Sequence, residues 1–318
     1  TSPQKESAMS LDPTIRQRVA HLYGKTLADL LNDRIALPPE PERESVEGVV
    51  SWQDTVEGPH GDVPVRIYLG EASTPPRRAF VWCHGGAWMR GDLDMAEADG
   101  VSQRVAADLP GVVVSVDYRL APAHTHPVPI GDVVAAFEAV AEGAIGRACA
   151  VDPARLGLGG ASAGAHLAAS AALAMTNWSA APPRALFLAY PATDPVSGPW
   201  PETDRPEVCP ELLWFDERFL PGIFWMYLGG APADATAIPA AGALEKLPPT
   251  LITTAEYEAL APQAERFAEL ARAAGGRIEM HAIAGVLHGY LNLVGSGIAV
   301  ADEALHRHLD WLRRTLGS

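Results

Sequence analysis

Apolar positions along the chain predict eight short strands, and from the third strand onward they alternate with helical patterns. The predicted strands cover residues 48–55, 63–69, 78–83, 112–117, 156–159, 185–189, 250–254 and 277–283. A turn over 58–62, rich in glycine and proline, joins the first two strands as a hairpin. This order predicts an α/β fold, with a mostly parallel sheet, an antiparallel edge and helices on both faces.

Two regions depart from this alternation. The stretch 195–249 is proline-rich at its ends and carries an aromatic cluster that includes Trp214 and Phe215, and a helical pattern covers 15–31. We therefore expect cap helices within 1–45, a main α/β domain over 46–318, and a cap inserted at 195–249. Open α/β sheets bind ligands at the carboxyl ends of their strands, which is where we expect the cap to lie.

Composition and residue spacing are typical of a soluble protein in a reducing compartment. The chain has 318 residues and a net charge of −15, from 39 acidic and 24 basic residues, which argues against nucleic acid or an anionic membrane as a partner. Its three cysteines give no disulfide framework, and no His/Cys/Asp cluster has metal-ligand spacing, so we expect no metal and no cofactor. The first residues contain no apolar signal segment, and we expect a cytoplasmic location.

The pentapeptide Gly160-Ala161-Ser162-Ala163-Gly164 stands between an apolar strand pattern and an alanine-rich helix pattern. A turn this sharp lifts the serine hydroxyl clear of the sheet. It requires glycine on both sides, because a Cβ there would collide with the neighbouring strand and helix. Ser162 is thus a candidate nucleophile. The alternative is that Ser162 only caps the helix in a glycine-rich turn.

A serine that transfers acyl groups also needs an oxyanion hole. The strand 78–83 leads into His84-Gly85-Gly86-Ala87-Trp88. Two consecutive glycines let backbone N–H groups approach a substrate closely, and the N–H of Ala163 would complete the donor set.

The base and the acid are expected downstream, in the chain order serine, acid, histidine. His288 follows the strand 277–283, and both Glu256 and Glu258 follow the strand 250–254. Residues two apart in an extended segment point to the same side, so alternation alone does not separate the two glutamates.

Together with 117–122 and His288-Gly289-Tyr290, these motifs resemble the hormone-sensitive-lipase-like (family IV) carboxylesterases of the α/β-hydrolase fold, from about residue 49 to the C-terminus. The resemblance implies that Ser162 is the nucleophile and His288 the base. It further implies that Gly85, Gly86 and Ala163 are the oxyanion donors. Because Phe267 and Ala273-Ala274-Gly275 match the helix that follows the family's acid, the resemblance places the acid at Glu258 and not at Glu256.

Three residues depart from the family pattern. Ala87 replaces a third glycine, Ala161 stands where aspartate is frequent, and Glu258 takes the place of an aspartate. None of these changes removes a catalytic group, since the oxyanion donors are main-chain and glutamate can also orient a histidine.

The predicted activity is that of a serine carboxylesterase acting on short to medium acyl esters, with a small-molecule ester as its partner. Bulky side chains expected at the pocket are Trp88, Met89, Trp214 and Phe215. Amidase, lactonase or carbamate hydrolase activity, and a non-catalytic binding protein on the same fold, are the alternatives. A homodimer is left open.

Other polar residues are expected to have structural roles. Glu97 and Asp99 are expected on a solvated face. Asp117 and Arg119 are expected to support the oxyanion loop through an ion pair.

Overall fold

A computed structural model describes residues 11–25, 29, 46–145, 149–178, 182–195, 209–214 and 219–317. Its eight strands form one sheet in the order β1-β2-β4-β3-β5-β6-β7-β8. The strands are β1 Val49–Val56, β2 Val63–Gly70, β3 Arg77–Cys83, β4 Val112–Val116, β5 Val151–Ala161, β6 Leu186–Ala189, β7 Thr250–Tyr257 and β8 Ile278–Leu287. β2 is antiparallel to β1 and β4, and all other neighbours are parallel. The predicted eight-stranded, mostly parallel sheet is confirmed.

Helices cover both faces of the sheet. They are α1 Pro13–Val19, α2 Ala96–Asp108, α3 Val128–Ala141, α4 Ala163–Trp178, α5 Leu220–Leu228, α6 Ala261–Ala273 and α7 Ala299–Leu316. Side chains alternate along each strand, so that Val81 of β3 joins one core with α3, α4 and α6, while Phe80 and Trp82 join the other with α2 and α7. This packing fixes the carboxyl ends of the parallel strands along one edge.

The N-terminal segment packs on the second core. α1 ends at Val19 and a 3₁₀ turn over Ala20–Leu22 follows, so the helix expected over 15–31 is shorter there than the pattern predicted. Leu11 and Ile15 are buried in the same cluster as Trp214. Most of the predicted N-terminal cap beyond residue 25 lies outside the described residues.

Part of the predicted cap is described. α5 buries Phe224 and Tyr227 in the first core, and Gly229 ends the helix in the left-handed conformation. Residues 196–208 and 215–218, which include Phe215, lie outside the described residues. The boundaries 1–45, 46–318 and 195–249 stay a prediction. Within the described ranges, no helix is long and apolar enough to cross a membrane.

Candidate active site

The carboxyl ends of three parallel strands bring Ser162, Glu258 and His288 together. Ser162 follows β5, Glu258 follows β7 and His288 follows β8. The His288 ring lies between the other two residues, with Nε2 at 2.9 Å from Ser162 Oγ and Nδ1 at 2.6 Å from Glu258 Oε2. Glu258 is buried and Ser162 is partly open to solvent. The arrangement is one continuous chain of hydrogen bonds from a hydroxyl through an imidazole to a carboxylate.

Ser162 stands at a strained turn between β5 and α4. Its φ of +53° lies in the left-handed region, which residues with a side chain seldom adopt. A Cβ added at Gly160 would lie 2.7 Å from the Cys83 carbonyl oxygen, and one added at Gly164 would collide with the same carbonyl. Glycine is therefore required on both sides of the serine, as the pentapeptide predicted.

The two glutamates at the end of β7 have different partners. Glu258 accepts a hydrogen bond from the Ala255 N–H through Oε1 (2.7 Å) and contacts His288 through Oε2. Glu256 accepts instead from the Gly285 N–H, at 2.7 Å, on the neighbouring strand β8. β7 ends at Tyr257, so Glu256 still belongs to the strand and pairs with β8, whereas Glu258 lies in the loop that follows. Alternation along an extended strand therefore does not apply to Glu258.

The loop after β3 approaches the nucleophile closely. A Cβ added at Gly85 would lie 3.3 Å from Ser162 Cβ, so the glycine backbone is packed against the serine. Gly86 (φ +110°), Ala87 (φ +55°) and Trp88 (φ +61°) then form a tight turn of left-handed residues.

The Tyr118 hydroxyl stabilises this loop through hydrogen bonds to its backbone. Its hydroxyl donates to the carbonyl oxygens of His84 (2.8 Å) and Gly85 (3.2 Å), and the His84 ring is stacked on the Tyr118 ring with 4.4 Å between centroids. Arg119 instead pairs with Asp132 of α3, through its side chain and its backbone N–H. The support expected from an Arg119 ion pair is therefore supplied by Tyr118.

The expected set of oxyanion donors needs one correction. The Gly85 N–H donates to Glu97 Oε1 at 2.5 Å, so it is already engaged by a buried carboxylate. The N–H groups of Gly86, Ala87 and Ala163 have no acceptor within the described part of the chain. Ala163 is also the first residue of α4, where the helix dipole favours negative charge.

The expectation that Glu97 lies on a solvated face is wrong. Glu97 is 2 % exposed rather than solvated, and it bonds Tyr190 and Asn292 in addition to Gly85. Asp99, by contrast, is partly exposed and accepts from Tyr68 at 2.9 Å. A signal was present, because Val101 and Val105 follow Glu97 at intervals of four along α2 and so lie on the same, buried face.

Of the bulky residues expected at the pocket, Trp88 is misplaced. It is 1 % exposed, its Nε1–H donates to His166 Nδ1 at 3.2 Å, and its ring centroid lies 4.7 Å from those of Phe224 and Tyr227. Trp88 therefore joins α5 to the core and is not a pocket wall.

The other pocket residues remain predictions. Met89 is half-buried, and Trp214 is buried. The fourth residue, Phe215, lies outside the described residues.

Burial shapes the electrostatics behind the site. It lowers the pKa of His166 to about 4, so this imidazole is neutral; it hydrogen-bonds the Ala237 carbonyl oxygen through Nε2 and accepts from Trp88. Burial likewise raises the pKa of the Tyr190 phenol well above its usual range. The Tyr190 ring stands edge-on to the His288 ring, with centroids 4.8 Å apart.

The chain is similar to known esterases over most of its length. A family model described as alpha/beta hydrolase fold matches residues 80–292. Carboxylesterase NlhH of Mycobacterium tuberculosis is 33% identical over 293 residues, covering 89% of this chain and 87% of that protein. Arylacetamide deacetylase of Bos taurus is 40% identical over 112 residues, 35% of this chain and 28% of that protein. A solved structure, bacterial heroin esterase, superimposes with a TM-score of 0.82 at 28% identity, covering 97% of this chain and 99% of that one.

Proposed function

We propose that this chain, which belongs to the hormone-sensitive-lipase-like carboxylesterases of the α/β-hydrolase fold, hydrolyses esters through Ser162, His288 and Glu258. The observation that carries the proposal is the hydrogen-bond chain from Ser162 Oγ through the imidazole to Glu258. A serine hydroxyl is a weak nucleophile unless a base accepts its proton, and the base must itself be oriented by a third group.

The first half of the reaction forms an acyl-enzyme. His288 Nε2 takes the proton of Ser162 Oγ while Oγ bonds to the ester carbonyl carbon. Glu258 keeps the imidazole in the correct tautomer and stabilises the imidazolium that forms. His288 then gives its proton to the leaving alkoxide, and the alcohol departs.

The second half returns the free enzyme. His288 takes a proton from a water molecule, the hydroxide attacks the acyl carbon, and the Ser162 Oγ leaves with the proton that His288 returns. The acid product and the original hydroxyl are restored.

The oxyanion of each tetrahedral intermediate is assigned to the amides of Gly86, Ala87 and Ala163. These are N–H groups without an acceptor in the described chain, and they belong to the two segments that meet at Ser162. Fixed donors aimed at developing charge are commonly the largest single contribution to acyl transfer. The replacement of a family glycine by Ala87 leaves its N–H in place.

We infer a preference for short to medium acyl esters. The bulky side chains of Met89, next to the oxyanion loop, and Trp214 are the described residues that we assign to the pocket walls. A closed pocket gains about 0.8 kcal/mol for each added methylene only while the chain still fits. Rates are expected to rise with acyl length and then to fall.

A second candidate activity is amide hydrolysis. The observation that favours it is the 40% identity to arylacetamide deacetylase, over 112 residues. The same triad serves either leaving group, because His288 can protonate an amine as well as an alkoxide.

The test is a substrate panel on wild type and Ser162→Ala: p-nitrophenyl esters from acetyl to palmitoyl, an aryl acetamide and a γ-lactone. We expect Ser162-dependent turnover with the highest kcat/KM among short and medium esters. A kcat/KM that rises steadily to palmitoyl would contradict the chain-length proposal. Faster turnover of the amide than of the matching ester would favour the second activity.

A further inference from the structure

Glu97 is an enclosed carboxylate that contacts three loops of the candidate site. Its Oε1 accepts from the Gly85 N–H at 2.5 Å, and its Oε2 accepts from the Tyr190 hydroxyl at 2.7 Å and from Asn292 Nδ2 at 3.1 Å. Gly85 belongs to the loop after β3, Tyr190 follows β6, and Asn292 lies four residues beyond His288. A single side chain from α2 thus ties together the loops that carry the oxyanion donors and the base.

The partners of Glu97 all present hydrogens to it. Asn292 Nδ2 also donates to the Gly289 carbonyl oxygen at 3.1 Å, and because a carbonyl can only accept, this contact fixes which end of the amide faces Glu97. An ionised carboxylate only accepts, so three donors match the ionised form. Burial raises the pKa of Glu97 above its usual range, and the three hydrogen bonds act in the opposite direction.

We propose that Glu97 is a positioning residue for the ester hydrolysis assigned above: it fixes the oxyanion loop through Gly85 and holds Tyr190 against the base His288. The inference rests on the proposed function, since it assigns Glu97 a part in the same site. Within the described part of the chain, Glu97 hydrogen-bonds three neutral donors and no cation, and a buried carboxylate without a counter-ion depends on such hydrogen bonds.

The loop geometry shows how this contact would act on the oxyanion. The carboxylate engages Gly85, while the amides of the next two residues, Gly86 and Ala87, stay without an acceptor in the described chain. A Cβ added at Gly85 would collide with Glu97 Oε1 on one side and lie 3.3 Å from Ser162 Cβ on the other. The glycine backbone therefore spans the gap between Glu97 and the nucleophile. Displacing it by about 1 Å would move both free donors off the oxyanion.

The second contact acts on the base. His288 is faced by the Glu258 carboxylate and by the edge of the Tyr190 ring, and Glu97 lies behind Tyr190, bonded to its hydroxyl. Two buried carboxylates thus favour the imidazolium that forms on His288. Glu258 contributes most because it touches the ring, and Glu97 adds a smaller field.

The test compares four variants on p-nitrophenyl butyrate from pH 5 to 9. Glu97→Gln keeps the shape of the side chain but sets an NH₂ group against a donor and removes the charge. Glu97→Asp keeps the charge and shortens the reach. Tyr190→Phe keeps the ring against His288 and removes one donor. Glu256→Gln is the matched control, because Glu256 also accepts from a backbone N–H near the site, that of Gly285, but does not contact the oxyanion loop.

For Glu97→Gln we expect kcat to fall by about 30-fold with KM changed by less than about 2-fold, because the oxyanion forms only after binding. Ki for a trifluoromethyl ketone, which forms an oxyanion with the serine, should rise by a similar factor. The acid limb of kcat/KM should move to lower pH by on the order of 0.5 unit. For Glu97→Asp, kcat should fall while the acid limb stays where it is in wild type. For Tyr190→Phe, kcat should fall by about 5-fold, and for Glu256→Gln it should fall by less than about 3-fold.

Several outcomes would overturn the proposal. One is a Glu97→Gln enzyme with wild-type kcat and ketone Ki. Another is a loss that appears in KM alone, with the pH profile unchanged, which would indicate general structural support. If Glu97→Gln does not fold, Tyr190→Phe decides, and an unchanged kcat and ketone Ki for that variant would contradict the proposal. If the Ser162→Ala enzyme still hydrolyses the ester at the wild-type rate, the proposed function itself is overturned.

Discussion

Glu256 and Glu258 lie two residues apart at the end of β7, yet their carboxylates bond different partners. Glu256 accepts from the Gly285 N–H at 2.7 Å, whereas Glu258 contacts His288 Nδ1 at 2.6 Å. The end of β7 at Tyr257 separates them, because Glu256 belongs to the strand and Glu258 to the loop after it.

Exchanging each glutamate for glutamine should therefore have unequal effects. We predict that Glu258→Gln lowers kcat by at least about 10³-fold, because an amide does not hold the imidazole in the tautomer that accepts the serine proton. Glu256→Gln should lower kcat by less than about 3-fold, since it alters only the hydrogen bond from the Gly285 N–H of β8. Steady-state kinetics on one p-nitrophenyl ester would measure both. A larger loss for Glu256→Gln would mean that the acid is misassigned.

Ser162 and His288 should act as one unit. We predict that Ser162→Ala and His288→Ala each remove nearly all ester hydrolysis and that the double variant is hardly slower than either, because each residue works only through the other. The measurement is kcat/KM for the three proteins, with circular dichroism as the control for folding. If the activation free energies lost in the two single variants add up in the double variant, Ser162 and His288 act independently.

Trp88 and Met89 are neighbours with different surroundings. We predict that Trp88→Phe lowers the free energy of unfolding by about 1–3 kcal/mol, because it leaves a gap beside Phe224 and removes the bond to His166. The acyl length with the highest kcat/KM should not change. Met89→Ala is the paired test, since Met89 is half-buried and remains a predicted pocket residue.

Longer acyl chains should become better substrates of Met89→Ala than of wild type. The result that would count against this account is a shifted acyl optimum in Trp88→Phe together with an unchanged one in Met89→Ala. That result would show that Trp88, and not Met89, lines the acyl pocket.

The buried His308 should make the fold sensitive to acid. Its ring lies between Phe187 and Tyr290, and neither nitrogen has a hydrogen-bond partner among the described residues. Burial lowers the pKa of His308 from 6.5 to about 3. The unfolded chain therefore binds a proton that the folded chain does not, and stability present above pH 6.5 is lost as the pH falls toward 3.

This single group is expected to make the free energy of unfolding about 2 kcal/mol lower at pH 5 than at pH 7.5. We predict that His308→Leu loses less stability between these two pH values than wild type, as measured by urea unfolding. His306→Leu, an exposed histidine on the same helix, is the control and should behave as wild type. Equal pH dependence in all three proteins would contradict the prediction.

The sequence was informative wherever local pattern decides structure. The eight strands were predictable because alternation and apolar runs report burial directly, and the turn around Ser162 was predictable because its glycines have a steric reason. The pattern did not reveal contacts between segments distant along the chain. Glu97 was assigned to solvent although its partners Tyr190 and Asn292 lie 93 and 195 residues away. Trp88 was assigned to the pocket although His166 and α5 enclose it.

The most direct test of the central claim is covalent labelling. Diethyl p-nitrophenyl phosphate transfers its phosphoryl group to a serine hydroxyl only where a base activates that hydroxyl and an oxyanion hole receives the developing charge. Mass spectrometry of the intact protein and of its peptides should show one diethyl phosphoryl group per chain, on Ser162, in step with the loss of esterase activity and absent from His288→Ala. A label on another residue, or full inhibition with Ser162 unmodified, would contradict the account.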